Sequence, residues 1–231
     1  MAPLPRVIAL DGPAGSGKST VARLLAQRLG FTFFETGAIY RALALLASER
    51  SVAVDDEPGL EALIDGFDLS FAPRADGTNR VLLAGHDVTP RCYAPEISQA
   101  ASRVSAWPAV RRRLVRFQRD AALASRGLVM EGRDIGTVIV PDAPLKVFLT
   151  ATPEERARRR VEQLGQQGRH QPFDEVLAEV IERDRRDTER ATAPLCQAAD
   201  AVRLDTTGLT LEQVIEALVE LARERGLTAG G

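Results

Sequence analysis

Gly12-Pro13-Ala14-Gly15-Ser16-Gly17-Lys18-Ser19 sets a glycine four residues ahead of Gly-Lys-Ser, a spacing whose chemistry is polyphosphate binding. Glycines let successive backbone N–H groups converge on phosphate oxygens without Cβ clashes. A helix starting there adds its positive end. Lys18 is placed to reach β- and γ-phosphates, and the Ser19 hydroxyl to meet Mg²⁺. With Thr20, this run is the expected ATP-binding segment. The same letters fit a generic glycine-rich turn, so the flanks decide. Val7, Ile8, Ala9 and Leu10 form a short apolar run before it, and Val21, Leu24, Leu25 and Leu29 recur at helical spacing after it, up to Gly30. That is the strand–loop–helix context a phosphate-binding loop requires. The chain has no Asn-Lys-x-Asp segment of the kind that reads guanine.

A second group of chemically capable residues is Glu131-Gly132-Arg133-Asp134-Ile135-Gly136-Thr137, directly after the apolar Leu128, Val129 and Met130. Open α/β sheets place ligands at the C-terminal ends of strands, so two carboxylates and a guanidinium would stand at a cleft mouth. A self-compensating charged turn is the plainer alternative. A third group is Arg183, Asp187 and Arg190. They continue the helical stripe begun by Val176 and Val180, so one helix face passes from apolar to charged. Such a helix leaves the core and lines a polar cleft, its charges spaced to hold one another; alone, it would read as a solvated ion-pair face.

The elements that must position these groups alternate between strand and helix. Strand-like runs centre on Val7–Leu10, Leu128–Met130, Val147–Leu149 and Val202–Leu204, and helical patterns cover residues 18–29, 38–47, 109–125, 153–166, 173–191 and 211–225. In the helix over 38–47, Leu43, Leu46 and Ala47 form the apolar side. This alternation predicts a parallel sheet covered on both faces. Residues 52–108 interrupt it. Leu69–Phe71 and Val81–Leu83 read there as a hairpin, broken at Pro73, Asp76-Gly77 and Asn79, within an inserted subdomain. Gly165, Gly168 and Pro172 separate two arginine-rich helices, and a tail of small residues closes the chain at 228–231.

Composition narrows the functional class. A chain of 231 residues holds one sizeable core. With 45% hydrophobic and 27% charged residues and a net charge of -2, it is an ordinary globular chain without general attraction for nucleic acid or anionic membranes. No apolar run is long enough to span a bilayer or serve as a signal peptide. A soluble cytoplasmic protein is expected, and with no exposed apolar helix face in view, a monomer. The basic residues comprise 28 Arg and two Lys, Lys18 and Lys146; a single Arg is therefore weak testimony, whereas a Lys needs a reason. Cys92 and Cys196 have no metal-ligand spacing. His86 and His170 read as solvated loop residues, and Trp107 before Pro108 as packing.

These segments together resemble the bacterial cytidylate kinase family. The resemblance spans the whole chain and rests on four segments in the correct order: Asp11 to Ser19, Glu35-Thr36-Gly37-Ala38-Ile39-Tyr40-Arg41, Glu131 to Thr137, and Arg183 to Leu195. It implies an α/β P-loop kinase, a three-layer sandwich with a five-stranded parallel sheet, a small inserted α/β subdomain for the nucleoside monophosphate, and a helical lid. One domain over 1–231 would comprise a core (about 1–51, 109–155 and 192–231), the insert (about 52–108) and the lid (about 156–191). The implied activity is transfer of the ATP γ-phosphoryl group to CMP or dCMP, with Mg²⁺ accompanying ATP, and with CMP and dCMP well above UMP.

By the same resemblance, Thr36, Arg111 and Asp134 would read cytosine, with Ser102 near base and sugar. Tyr40, Arg183 and Asp187 would surround the ribose; Arg41, Arg133 and Arg190 would bind phosphates, and Lys18, Arg133 and Arg190 would be catalytic. Asp11 and Asp134 are alternatives for contact with Mg²⁺-bound water. Arg156, Arg159 and Arg160 are lid candidates that composition would otherwise assign to the surface. Glu35 and Glu131 stand where the family often has Asp. Cys92-Tyr93 stand where it usually has Ile-Arg, with Arg91 available to compensate. Two rivals are a P-loop kinase for shikimate or a sugar acid, and a non-catalytic nucleotide sensor.

Overall fold

The computed structural model describes residues 6–166 and 168–228, so 229–231 of the small-residue tail lie outside the described residues. At its centre is a fully buried strand, β1 (Val7–Asp11). Beside it run β6 (Leu128–Gly132) and β7 (Leu145–Thr150), flanked by β2 (Thr32–Glu35) and β8 (Val202–Asp205). The order is β2-β6-β1-β7-β8, and every pairing is parallel. The continuous apolar runs of β1 and β6 are what a doubly covered sheet demands. Register brings the chemistry to one edge: Asp11 pairs with Gly132 and Phe148, and Glu35 with Glu131.

On one face, α1 (Lys18–Leu29) and α9 (Leu211–Glu224) bury Val21, Leu25, Ile215 and Leu218 against Ile8, Leu10, Val129 and Leu149. On the other, α2 (Gly37–Glu49) and α6 (Pro108–Ala124) cover Val7, Ala9 and Met130. Truncating one such buried leucine to alanine costs about 2–5 kcal/mol. The helix α2 is buried over most of its circumference, not only along the expected stripe, and Leu46 is half-buried. A second sheet packs on its far side.

That sheet is antiparallel, in the order β3-β4-β5, from β3 (Leu69–Pro73), β4 (Asn79–Leu83) and β5 (His86–Asp87). It therefore has one strand more than the hairpin reading, with the expected turn at Gly77, whose φ is +77°. Helices α3 (Glu57–Leu63), α4 (Thr89–Cys92) and α5 (Pro95–Val104) accompany it. Leu69, Val81 and Leu83 join the same apolar cluster as Leu43 and Met130, so sheet and core share packing. The last pair, α7 (Pro153–Gln166) and α8 (Phe173–Glu189), closes on a small cluster of Ala157, Leu164 and Val176. Among the described residues no helix is long and apolar enough to cross a membrane.

Candidate active site

The loop between β1 and α1 is shaped by glycines in backbone conformations closed to other residues. Gly12 has φ +151°, and a Cβ there would collide with the Leu149 carbonyl oxygen of the neighbouring strand. Gly17, at φ +87°, turns the chain into α1 without blocking the first-turn amides. Lys18 folds back over the loop, donating to the Pro13 carbonyl at 2.7 Å and lying 3.4 Å from Ser16 Oγ. It is buried, and burial together with the Arg133 charge holds its ammonium below the usual lysine range. Ser19 donates to Glu131 Oε1 at 3.0 Å. Thr20 is exposed and lines a groove beneath the second sheet with Arg23 and Phe71.

Asp11 fixes the turn after β6: its two oxygens accept from the amides of Ile135 and Gly136 at 2.8 and 2.7 Å. Burial raises its carboxyl to about 6, with these bonds working against the rise. The turn continues as one stretch of π-helix, Ile135–Ile139, and presents Arg133 and Asp134. Asp134 is buried in contact with Arg111 and lies 3.7 Å from Arg190. Arg111 also donates to the Ser105 carbonyl at 2.9 Å and lies over the Tyr40 ring. Arg133 donates from Nε to Asp187 at 2.8 Å.

The charged stripe of α8 does line this cleft, but its charges do not pair along the helix as their spacing suggested. Asp187 takes Arg133 and Arg190 takes Asp134. Arg183 is pulled down to about 10 by burial and by Arg133. Arg190 is also lowered, by burial and by Arg111.

Of the expected base-reading residues, Thr36 is buried and donates its hydroxyl to the Glu131 carbonyl at 2.9 Å. That oxygen can therefore serve a ligand only as an acceptor. Ser102 is half-buried on α5, its carbonyl bonded to the Ser105 hydroxyl at 3.0 Å. Arg41 pairs with Glu35 at 2.5 Å.

Further expectations meet particular contacts. Neither Asp11 nor Asp134 adjoins Ser19: the first is occupied by amides and the second by guanidiniums, and the carboxylate beside Ser19 is Glu131. Arg156 is no surface residue. Its side chain is 3% exposed, is bidentate to Asp184 at 3.0 and 2.6 Å, and donates to the Ala14 and Ala151 carbonyls at 3.0 Å, tying α7 to α8 and the phosphate loop. Arg159 is half-buried, reaching Thr206 at 3.1 and 2.8 Å; only Arg160 keeps to an exposed bond, with Gln163. Arg91 does not compensate for Tyr93, because it pairs away from the cleft with Glu49. Sequence reasoning placed Glu131 among the carboxylates at the cleft mouth but gave it no place beside Ser19, which depends on the register of β6 against β1. Trp107 packs as expected, its indole bonded to the Val54 carbonyl, and His86 and His170 are exposed. The second lysine, Lys146, has a structural reason: it pins Asp200 at 2.9 Å beside Gly136.

The family model described as cytidylate kinase matches residues 8–224. The cytidylate kinase of Pelotomaculum thermopropionicum is 50% identical over 212 residues, covering 92% of this chain and 93% of that protein. That of Saccharophagus degradans is 46% identical over 222 residues, covering 96% and 98%. A solved structure of an uncharacterized protein from Eubacterium ventriosum aligns with a TM-score of 0.54 at 14% identity, over 95% of this chain and 99% of that one, a likeness of fold alone.

Proposed function

The chain belongs to the cytidylate kinase family of nucleoside monophosphate kinases, and we propose that it transfers the γ-phosphoryl group of ATP to CMP or dCMP, giving ADP and the pyrimidine diphosphate. The observation that carries the acceptor assignment is a set of buried polar atoms without hydrogen-bond partners: Nε of Arg111 and Arg183, Nη2 of Arg190, and Oγ1 of Thr137. Buried donors left unsatisfied are costly, and those of Arg111 and Arg190 belong to guanidiniums that share Asp134, where a hydrogen-bonding ligand would satisfy them.

The donor phosphates lie along the loop from Gly12 to Ser19, and Lys18 swings from Pro13 to their oxygens. An acceptor phosphate oxygen, already ionised, attacks the γ-phosphorus in line; the bond to ADP breaks and ADP leaves with the electron pair. Lys18, Arg133, Arg41 and Arg190 supply positive charge as it builds on the transferring group. Burial and the Arg133 charge lower both Lys18 and Arg183, so a polyanion restores both cations.

Ser19 and Glu131 would hold Mg²⁺ with ATP. Their fit is chemical: two hard oxygens 3.0 Å apart, one a carboxylate raised by burial and by the Glu35 charge, which a divalent cation would relieve. The ion, when bound, neutralises phosphate charge.

Cytosine is read by Asp134 and Thr36 as acceptors for the exocyclic amine and by Arg111 as donor to the ring. Uracil would set a carbonyl against a carboxylate, which supports CMP and dCMP over UMP. Tyr40, Ser102, Arg183 and Asp187 border the sugar. Residues 52–108 form the nucleoside-monophosphate insert and 156–191 the lid, whose closure over the phosphates excludes water. The enzyme works as a cytoplasmic monomer; of its exposed apolar residues, Phe117 and Leu123 lie on α6 and Ile181 on α8.

The test is ADP release from ATP·Mg²⁺ against CMP, dCMP, UMP, AMP, GMP and shikimate. Turnover with CMP and dCMP far above the rest is expected. Proven ATP binding without turnover of any monophosphate would overturn the assignment.

A further inference from the structure

Glu35, Arg41 and Tyr93 come from three different elements and each touches the other two. Glu35 ends β2, Arg41 lies in the first turns of α2, and Tyr93 follows α4 in the segment joining the second sheet to α5. The two carboxylate oxygens of Glu35 are divided between partners. Oε1 accepts from Arg41 Nη1 and Oε2 from the Tyr93 hydroxyl, each at 2.5 Å. The Arg41 guanidinium stands 4.7 Å from the centre of the Tyr93 ring, closing the triangle with a cation–π contact.

We propose that Tyr93 is a positioning residue for the acceptor: its hydroxyl fixes Glu35 and its ring covers Arg41, so that Arg41 is held ready for the acceptor phosphate. This rests on the activity proposed above.

The second sheet meets the core at two places along the groove. At the hairpin tip, Arg23 and Gln27 both donate to the Asp76 carbonyl at 2.9 Å, and Asn79 donates to the Phe33 carbonyl at 2.8 Å. Between that contact and Tyr93 lies an open groove of about 320 Å³ lined by Phe33, Phe71 and Val81. Tyr93 is therefore the tie at the end nearer the active site. Arg41 gives one nitrogen to Glu35, and a guanidinium has five N–H groups, so the tie orients the group without exhausting it. Burial and the Glu35 charge raise the Tyr93 phenol, which keeps its proton on the donor side of the bond. The Tyr93 residue is 44% exposed, so losing the ring removes little packing, and a positioning role separates from a structural one.

Steady-state kinetics of Tyr93→Phe, Tyr93→Leu, Glu35→Gln and the Tyr93→Phe/Glu35→Gln double variant test this, with CMP and ATP varied in turn and thermal melts alongside. Loss of the hydrogen bond should raise KM for CMP about 3-fold in Tyr93→Phe. Loss of the ring as well should raise it about 10-fold in Tyr93→Leu, with KM for ATP and Tm unchanged. If the hydroxyl acts through Glu35, adding Tyr93→Phe to Glu35→Gln changes nothing further. Wild-type KM for CMP in both Tyr93 variants, or a parallel rise in both KM values with a lowered Tm, would overturn the inference. Failure of the wild-type enzyme to phosphorylate CMP would overturn the activity reading and this inference with it.

Discussion

The donor cradle is contiguous, from Gly12 to Ser19, and works with backbone amides at one strand–helix junction. The acceptor side is gathered from α2, α5, α6, the turn after β6 and the end of α8, and works with side chains. In the cradle, the cost of binding a polyanion is met by conformations only glycine adopts. On the acceptor side it is met by charges holding one another, the buried Arg111 with Asp134 and the half-buried Arg133 with the buried Asp187. Damage to the two should therefore look different. The cradle's Lys18 side chain can be removed with loss of chemistry alone, whereas removing one member of a charged pair strands the other.

Lys18→Met gives the largest effect on rate. It should cut kcat by about 10³-fold, as for loss of a group facing transition-state charge. Because burial disfavours the ammonium, melting temperature should hold or rise. Marked destabilisation would mean that Lys18 supports the fold, and would blur the contrast. Asp187→Ala probes the other side: it leaves the half-buried Arg133 without its carboxylate, costing about 1–3 kcal/mol of stability in denaturant titration along with activity. Unchanged stability there would show that solvent reaches Arg133.

Glu131→Gln sits where the two regions meet. The Mg²⁺ concentration for half-maximal turnover should rise about 10-fold, with base selectivity unchanged. An unaltered Mg²⁺ requirement would remove Glu131 from the metal's surroundings. The smallest effect concerns Asp11, which links the β1 end to the acceptor turn. Its carboxyl is raised to about 6 by burial, so the folded chain favours the protonated form. The stability this contributes is complete below the ordinary value of 3.8 and is lost as pH rises through about 6. Carbon-13 titration of the Asp11 carboxyl should give a midpoint near 6; an ordinary midpoint would place the turn in water.

The same contrast explains what could be read from the sequence. The loop and the spans of α1 and α7 were legible because glycine spacing and 3.6-residue periodicity are local properties. The strand β2 was not: four residues ending in Glu35 carry too short a pattern, and its place beside β6 depends on pairing at a distance. Helix α5 carried no expectation within the irregular 52–108 stretch, although Pro95 occupies its first turn, a favourable place for proline. On the acceptor side, residue types were visible but partners were not. Spacing along α8 suggested that Arg183, Asp187 and Arg190 pair among themselves, whereas tertiary packing supplied Arg133 and Asp134. Arg156 was concealed by composition, since in a chain with 28 arginines a buried one looks like the rest. Glu131 needed the sheet register to bring it to Ser19.

The central claim is that the buried Asp134 carboxylate reads the cytosine amine, and Asp134→Asn tests it with least change of shape. The measurement is kcat/KM for CMP divided by that for UMP, in the wild-type and variant enzymes. The ratio should fall by about 10²-fold, since an amide can turn its N–H toward the uracil carbonyl that the carboxylate repels. A ratio equal to that of the wild type would contradict the account and move base recognition elsewhere in the cleft.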